Sequence, residues 1–235
     1  MRLGSFPPGG TAVVIGASGA IGGAVADAVE ASGAFERTVR FARRTDPALD
    51  LTDEATIEGA AASVRDGPPV RLVFVATGFL HGDGVMPEKA LRHLTVEGLE
   101  RNLRLNTIGP ALVLKHFCPL LPRAGRSVLA MVTAKVGSIA DNSLGGWYSY
   151  RASKAAQNQL LRTASVEVAR TKPEAVLVAL HPGTVASDLS EPFAKSGLTV
   201  RPPAESADAM LRVVDGLTAA DTGAFRGYDG AAIPW

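Results

Sequence analysis

Short, continuous apolar runs recur along the chain, and between them apolar residues fall at helical spacing. Thr11–Ile15, Thr38–Ala42, Arg71–Ala76, Ser127–Thr133 and Ala175–Leu180 are brief and largely apolar. Ile21–Ser32, Leu99–Leu121, Tyr150–Thr171 and Ala204–Leu217 carry the three- and four-residue periodicity of helices. Phe225–Ile233 reads as a last strand. The strands lack polar alternation, as expected where both sheet faces are covered. Strand and helix alternate throughout. The expected fold is therefore α/β, a single doubly wound parallel sheet with helices on both faces, spanning residues 1–235 as one domain.

In such sheets ligands bind beyond the carboxyl ends of the strands. Two irregular segments follow strands there, one near 135–147 and one near 187–203. Both are candidate walls of a substrate pocket. Bulk composition narrows the partners. The formal net charge is +1, aromatics make up 6%, and no long basic run is present, which disfavours nucleic acid or an acidic membrane surface. No run approaches the ~20 apolar residues that span a bilayer, and no leader pattern is visible at the N-terminus. A soluble, cytoplasmic protein is expected. Cys118 is the single cysteine, so no internal disulfide forms. It lies in an apolar helical run and is expected to be a small buried hydrophobe. The four histidines are scattered, so no metal site is expected.

The first strand ends in Gly16-Ala17-Ser18-Gly19-Ala20-Ile21-Gly22-Gly23. Small residues at a strand-to-helix turn let the backbone approach a pyrophosphate, and the helix N-terminus favours the anion. The second strand ends in Phe41-Ala42-Arg43-Arg44, and the next acidic residue, Asp46, lies beyond both arginines. An acidic side chain at this point would accept from a ribose 2′-hydroxyl, whereas arginine favours a 2′-phosphate. NADP(H) is thus expected over NAD(H). Tyr150-Arg151-Ala152-Ser153-Lys154 carries the sharpest chemical signal. A Tyr and a Lys four apart share one helix face. A nearby ammonium stabilises the phenolate, so Lys154 is expected to lower the Tyr150 pKa and make it an acid–base group at neutral pH.

Together with Ala76-Thr77-Gly78, Leu105-Asn106-Thr107, Gly137-Ser138-Ile139 and His181-Pro182-Gly183-Thr184-Val185, these motifs resemble the short-chain dehydrogenase/reductase family over nearly the whole chain. The resemblance is strongest to the C-factor and sniffer-like carbonyl reductase branch. It implies a Rossmann-like fold and a set of roles. Asn106 would distort its helix and order a water beside Lys154. Asp50 would face the adenine with Leu51 beside it, capping of a nearby helix being the competing reading. Ala76, Thr77 and Gly78 would lie beside the adenosine. Pro182, Gly183, Thr184, Val185 and Ser187 would contact the nicotinamide.

Ala20 stands where the family's G-x-x-x-G-x-G turn has its middle glycine, Val75 where its Asn-Ala-Gly segment has the asparagine, and Ser187 where it has threonine; the departure that matters concerns the catalytic serine. The family ends its fifth strand with two hydroxyl residues, and the second polarises the substrate carbonyl. Here the strand ends Val132-Thr133-Ala134, so the second slot holds alanine. Thr133 and Ser138 are the available hydroxyls, and Ser138 joins Tyr150, Lys154 and Asn106 in the candidate catalytic set. Trp147 either packs in the core or lines the pocket. The expected function is NADP(H)-dependent reduction of a small-molecule carbonyl, or oxidation of the alcohol, by a homodimer or homotetramer. The alternative is a cofactor-binding, C-factor-like signalling protein with weak turnover.

Overall fold

The computed structural model describes residues 3–82, 84–193 and 199–235. A six-stranded parallel sheet forms the centre, in the order β2-β1-β3-β4-β5-β8. Its strands are β1 (Thr11–Ile15), β2 (Arg37–Phe41), β3 (Val70–Val75), β4 (Ser127–Val132), β5 (Ala175–His181) and β8 (Ala224–Gly227). A two-residue pair, β6 (Thr184–Val185) and β7 (Val200–Arg201), lies apart from it. The expected doubly wound parallel sheet is therefore present.

Alternate side chains of each strand enter opposite cores. Val13, Ile15, Leu129 and Met131 pack with Val113 and Phe117 of α4 (Gly109–Phe117) and Leu161 of α5 (Tyr148–Ala169). Ala12, Val14, Val128 and Ala130 face the other way. They meet Val25 and Val29 of α1 (Ala20–Ser32) and Met210 and Val214 of α6 (Pro203–Gly216). A fully buried Val or Leu contributes roughly 1.5–3 kcal/mol, and a one-residue slip would exchange both faces, so register is strongly specified. Cys118 is buried as expected, and burial pushes its thiol up to about 12. No helix among the described residues is long and apolar enough to cross a membrane.

Three elements differ from the sequence expectation. A helix not read from the sequence, α2 (Glu54–Ala62), packs against α4 and is capped by Asp53, whose carboxylate accepts from the Ala55 amide. The single helix expected over Leu99–Leu121 is divided. Residues Val96–Leu103 form α3, Arg104–Ile108 form a π turn, and α4 follows. Pro110 has no N–H to give to the carbonyl of Asn106 four residues back, which disfavours continuous α-helical bonding here. The last strand ends at Gly227 and turns, leaving only an isolated bridge from Arg226 to Ala232.

β1 pairs with β2 on one side and β3 on the other. Winding reverses between β1 and β3, so a crevice opens between the loops that leave them.

Candidate active site

The loop leaving β1 is shaped by two glycines. Gly16 has φ +86°, and a Cβ there would lie 2.9 Å from the Ala76 carbonyl oxygen. A Cβ on Gly22 would overlap the Gly16 carbonyl. The N-cap of α1 is Gly19, and no side chain caps that end. The first amides of a 13-residue helix are thus left for an anion.

Two adjoining cavities occupy the crevice. The first, about 560 Å³, is lined by Gly16, Ser18, Gly19, Arg43, Asp50 and Leu51. The second, about 460 Å³, is lined by Ala20, Ile21, Tyr150, Lys154 and the loop after β5, including Pro182, Gly183, Thr184, Val185 and Ser187. Gly19, Ala76, Thr77 and Gly78 line both, so the two share a wall. A larger depression of about 850 Å³ runs along α6, lined by charges of both signs such as Arg201, Asp208 and Arg226. Its Tyr228 hydroxyl accepts from Arg201 at 2.9 Å, whereas Tyr150 and Lys154 line the crevice. Gly22, Arg44, Asn106 and Ser138 are not among the residues that line the crevice. Of the two irregular loops, Lys135, Val136 and Trp147 from one and Ser187, Leu189 and Ser190 from the other reach it. Residues 194–198 of the second loop lie outside the described residues.

Tyr150 and Lys154 sit on α5. Its N-terminus is set by three successive left-handed residues, Gly145, Gly146 and Trp147. The Trp147 amide donates to the Glu88 carbonyl at 2.6 Å. The buried Glu88 carboxylate accepts from the Ser149 amide at 3.1 Å and from the Ser149 hydroxyl. Left-handed backbone at a non-glycine residue costs roughly 1–3 kcal/mol, and the Glu88 clamp holds it in place. Trp147 then lines the cavity and meets the Tyr150 ring edge-on at 6.1 Å.

Tyr150 and Lys154 are 8% and 2% exposed. Lys154 Nζ lies 5.9 Å from the Tyr150 ring centroid. It donates to Gln157 Oε1 at 2.8 Å and more weakly to the Val132 carbonyl at 3.4 Å. Burial lowers the Lys154 ammonium to about 7 and pushes the Tyr150 phenol well above its ordinary value. This corrects the expectation that Lys154 brings the Tyr150 pKa down. Burial dominates, and the lysine gives its hydrogen bonds to Gln157 and Val132. Asn106 is fully buried behind the pair. Its carboxamide accepts from the Phe79 amide and donates to the Phe79 carbonyl, both at 2.8 Å, and also donates to Ser153 Oγ at 3.1 Å.

The hydroxyls near β4 are now placed. Ser138 is buried, and its Oγ accepts from the Asp141 amide at 3.1 Å. The structure does not bring it into the crevice. Thr133 and Ala134 both line the cavity, but Thr133 Oγ1 is buried without a hydrogen-bond partner among the described residues. Asp50 accepts from the Thr52 amide and hydroxyl, each at 2.8 Å. Those bonds, then Arg43 and Arg104, hold its carboxyl below the usual range. The helix cap nearby is Asp53, not Asp50.

The sequence pattern of one family, described as short chain dehydrogenase, matches residues 10–196. The chain belongs to the short-chain dehydrogenase family. It is 31% identical over 191 residues to 1-hydroxy-2-glutathionyl-2-methyl-3-butene dehydrogenase of Rhodococcus sp. strain AD45, covering 81% of this chain and 80% of that protein. It is 37% identical over 147 residues to C-signal of Myxococcus xanthus, covering 62% of this chain and 84% of C-signal. Among solved structures, NADPH-bound carbonyl reductase from chicken fatty liver matches with a TM-score of 0.84 at 26% identity, over 97% of this chain and 100% of that one. The resemblance read from the sequence is borne out, C-signal included. Within this short-chain dehydrogenase, sequence reasoning missed Glu88 and Gln157. Glu88 carried no local signal, because its partner Ser149 is 61 residues away. Gln157 was visible as a polar residue one helical turn from Lys154.

Proposed function

We propose that this chain is an NADP(H)-dependent carbonyl reductase, able to run in reverse as an alcohol dehydrogenase, with Tyr150 as its acid–base residue. One observation carries the reading. Tyr150 and Lys154 line a cavity that shares Gly19, Ala76, Thr77 and Gly78 with the adjoining glycine-turn cleft. The residues present suit a nicotinamide dinucleotide. The uncapped start of α1 is open to a pyrophosphate, the loop glycines allow close approach, and Thr77 Oγ1 is buried without a partner among the described residues. Gly16, Ser18, Gly19, Ala20 and Ile21 form the phosphate cradle, with Gly22 giving α1 its close packing. Arg43, with Arg44 beside it, receives a 2′-phosphate. Asp50, Leu51, Ala76, Thr77 and Gly78 flank the adenosine. Pro182, Gly183, Thr184, Val185 and Ser187 flank the nicotinamide, and Lys154 meets the ribose hydroxyls. Bound there, the cofactor supplies a hydride to the carbonyl carbon.

The remaining chemistry is the chain's own. Burial keeps the Tyr150 phenol protonated, the form that donates to a developing alkoxide. The Lys154 ammonium stabilises the phenolate left behind. Asn106 orders the loop after β3 and, through Ser153, helix α5. Ser138 keeps no catalytic role in this reading, since it is buried outside the residues that line the crevice. Leu80, Val136, Trp147 and Leu189 make the substrate wall largely apolar, which suits small neutral ketones and aldehydes. A cytoplasmic homodimer or homotetramer belongs to the same reading.

The test is NADPH oxidation by the purified protein against a panel of ketones, aldehydes and quinones. Tyr150→Phe should lower turnover about 10²–10⁴-fold while calorimetry shows unchanged NADPH binding. Tight NADPH binding with no turnover on any carbonyl would refute the reductase reading and favour a cofactor-binding signalling protein.

A further inference from the structure

Lys154 is buried with no ion-pair partner among the described residues. The groups that face its Nζ come from four elements. Gly78, in the loop after β3, would place a Cβ 3.7 Å away. The Val132 carbonyl ends β4 at 3.4 Å. Tyr150 and Gln157 come from α5 itself. The side chain of Asn106, from the π turn, lies beyond Gly78 and is engaged with Phe79, Ser153 and Asn102. The other titratable groups lining the cavity are Lys135 and His181. Lys135 is drawn toward Asp141 at 3.3 Å. His181 is held neutral near pH 7 by burial and then by Lys135. No carboxylate lines the cavity among the described residues.

Among the described residues, Gln157 is therefore the one side chain that accepts a hydrogen bond from Lys154 Nζ, at 2.8 Å. It is 2% exposed, and its own Nε2 donates to the Val132 carbonyl at 3.2 Å. Both ends of the carboxamide are thus used. One end fixes it to the sheet and the other receives the lysine. A carboxamide buried in this way, in an otherwise apolar contact between helix and strand, would be costly without both bonds. An ammonium has three donors. Two are directed at Gln157 and Val132, which leaves one for the crevice.

We infer that Gln157 is a positioning residue for Lys154: its carboxamide bridges the lysine to the end of β4, supports the charged form and aims the remaining donor into the crevice. The inference rests on the reductase reading for the use Lys154 makes of that donor. A neutral acceptor is suited to the task. It favours the ammonium without binding it as a carboxylate would, so the lysine stays free to respond to a ligand.

Two substitutions separate this role from simple packing. Gln157→Met keeps length and volume but removes both hydrogen bonds. Gln157→Glu keeps an acceptor and makes it anionic. The first readout needs neither cofactor nor turnover. Lysine labelled with ¹³C at Cε is titrated by NMR, with the Lys154 signal assigned by its absence in Lys154→Met. In Gln157→Met the Lys154 midpoint should fall by about one pH unit, the scale of a hydrogen bond to a charged group. In Gln157→Glu it should rise by at least as much. The acid–base limb of kcat/KM for carbonyl reduction should move in the same directions. KM for NADPH should rise about three- to tenfold in Gln157→Met, more than kcat falls. A packing role would move both variants the same way. Unchanged Lys154 midpoints in both folded variants, or shifts of the same sign, would overturn the inference. Should Gln157→Met fail to fold, an unchanged midpoint in Gln157→Glu overturns it alone. Absence of turnover in the wild type would count against the reductase reading, whereas the NMR titration decides the Gln157 role independently.

Discussion

Replacing Ala134 with serine should make the protein a faster carbonyl reductase. Ala134 follows β4 directly, has extended backbone at φ −133° and ψ 142°, and lines the cavity with Tyr150. A serine adds only a hydroxyl at Cβ, which that backbone accepts. It would add a hydroxyl at the β4 end of the cavity that Tyr150 also lines. Thr133 Oγ1 and Ser138 Oγ do not serve. The first is shielded from the cavity space, and the second is buried outside the residues that line the cavity. Removing one well-placed donor to a developing oxyanion costs about 2.7–4 kcal/mol, or 10²–10³ in rate. Ala134 is only half-buried. The new hydroxyl will be partly hydrated, and the gain will fall short of that bound. We expect a rise of about 10- to 100-fold in kcat/KM, about 1.4–2.7 kcal/mol, expressed mainly in kcat.

The assay is initial-rate NADPH oxidation with the best ketone from the substrate panel, together with Tm and NADPH affinity as controls. Thr133→Val and Ser138→Ala run alongside. Both should leave kcat within about threefold. Thr133→Val should also leave stability unchanged or raise it by up to about 1 kcal/mol, because it removes a buried hydroxyl that has no partner. An Ala134→Ser protein that folds, binds NADPH and turns over no faster would refute the reasoning. So would a Thr133→Val protein that loses 100-fold in kcat, since Thr133 would then be the missing donor.

Two further outcomes follow from the charges in the crevice. In the unfolded chain Lys154 stays protonated up to about 10.4, whereas in the folded protein it does so only below about 7. Between those values the unfolded state holds the extra proton, so Lys154 makes stability rise with pH across that window, and below it the folded state carries the full burial cost. Lys154→Met should therefore raise the Tm of cofactor-free protein at pH 6, lose that advantage toward pH 10, and abolish turnover, as thermal melts across pH will show. Arg43 lines the outer cavity beside Asp50. Arg43→Ala should weaken NADPH binding about tenfold or more, the scale of a charge-assisted hydrogen bond, and leave NADH binding unchanged by calorimetry. Equal weakening of both would remove Arg43 from the 2′-phosphate site.

The sheet was legible because parallel strands covered on both faces become unbroken apolar runs, such as Thr11–Ile15, every residue of which is buried. Helix α2 was not, because Glu54–Ala62 offers one large apolar residue, Ile57, among alanines and a glycine. Its evidence lies in the Asp53 cap and in its packing on α4. The apolar spacing over 99–121 spoke for a continuous helix. It could not report the π turn, which depends on Pro110 and on bonds from Asn106 to Phe79, 27 residues away. The glycine turn and the Tyr150–Lys154 spacing were readable because local geometry sets them. The fate of Ser138 was not, since the path of the loop after β4 buries it away from the cavity.

The same contrast explains why the electrostatics ran opposite to the motif. A Tyr and a Lys four apart imply a lysine that activates its neighbour. That inference assumes the lysine is charged and close to the phenol oxygen. Burial opposes the charged form of both residues at once. In the folded protein the pair is therefore poised, with a protonated phenol and a lysine near its titration point, and an anionic ligand in the crevice would restore the ammonium. The motif states which residues take part. Their protonation states depend on how deeply α5 is packed and on Gln157, one turn further along, and neither is contained in the spacing of Tyr150 and Lys154.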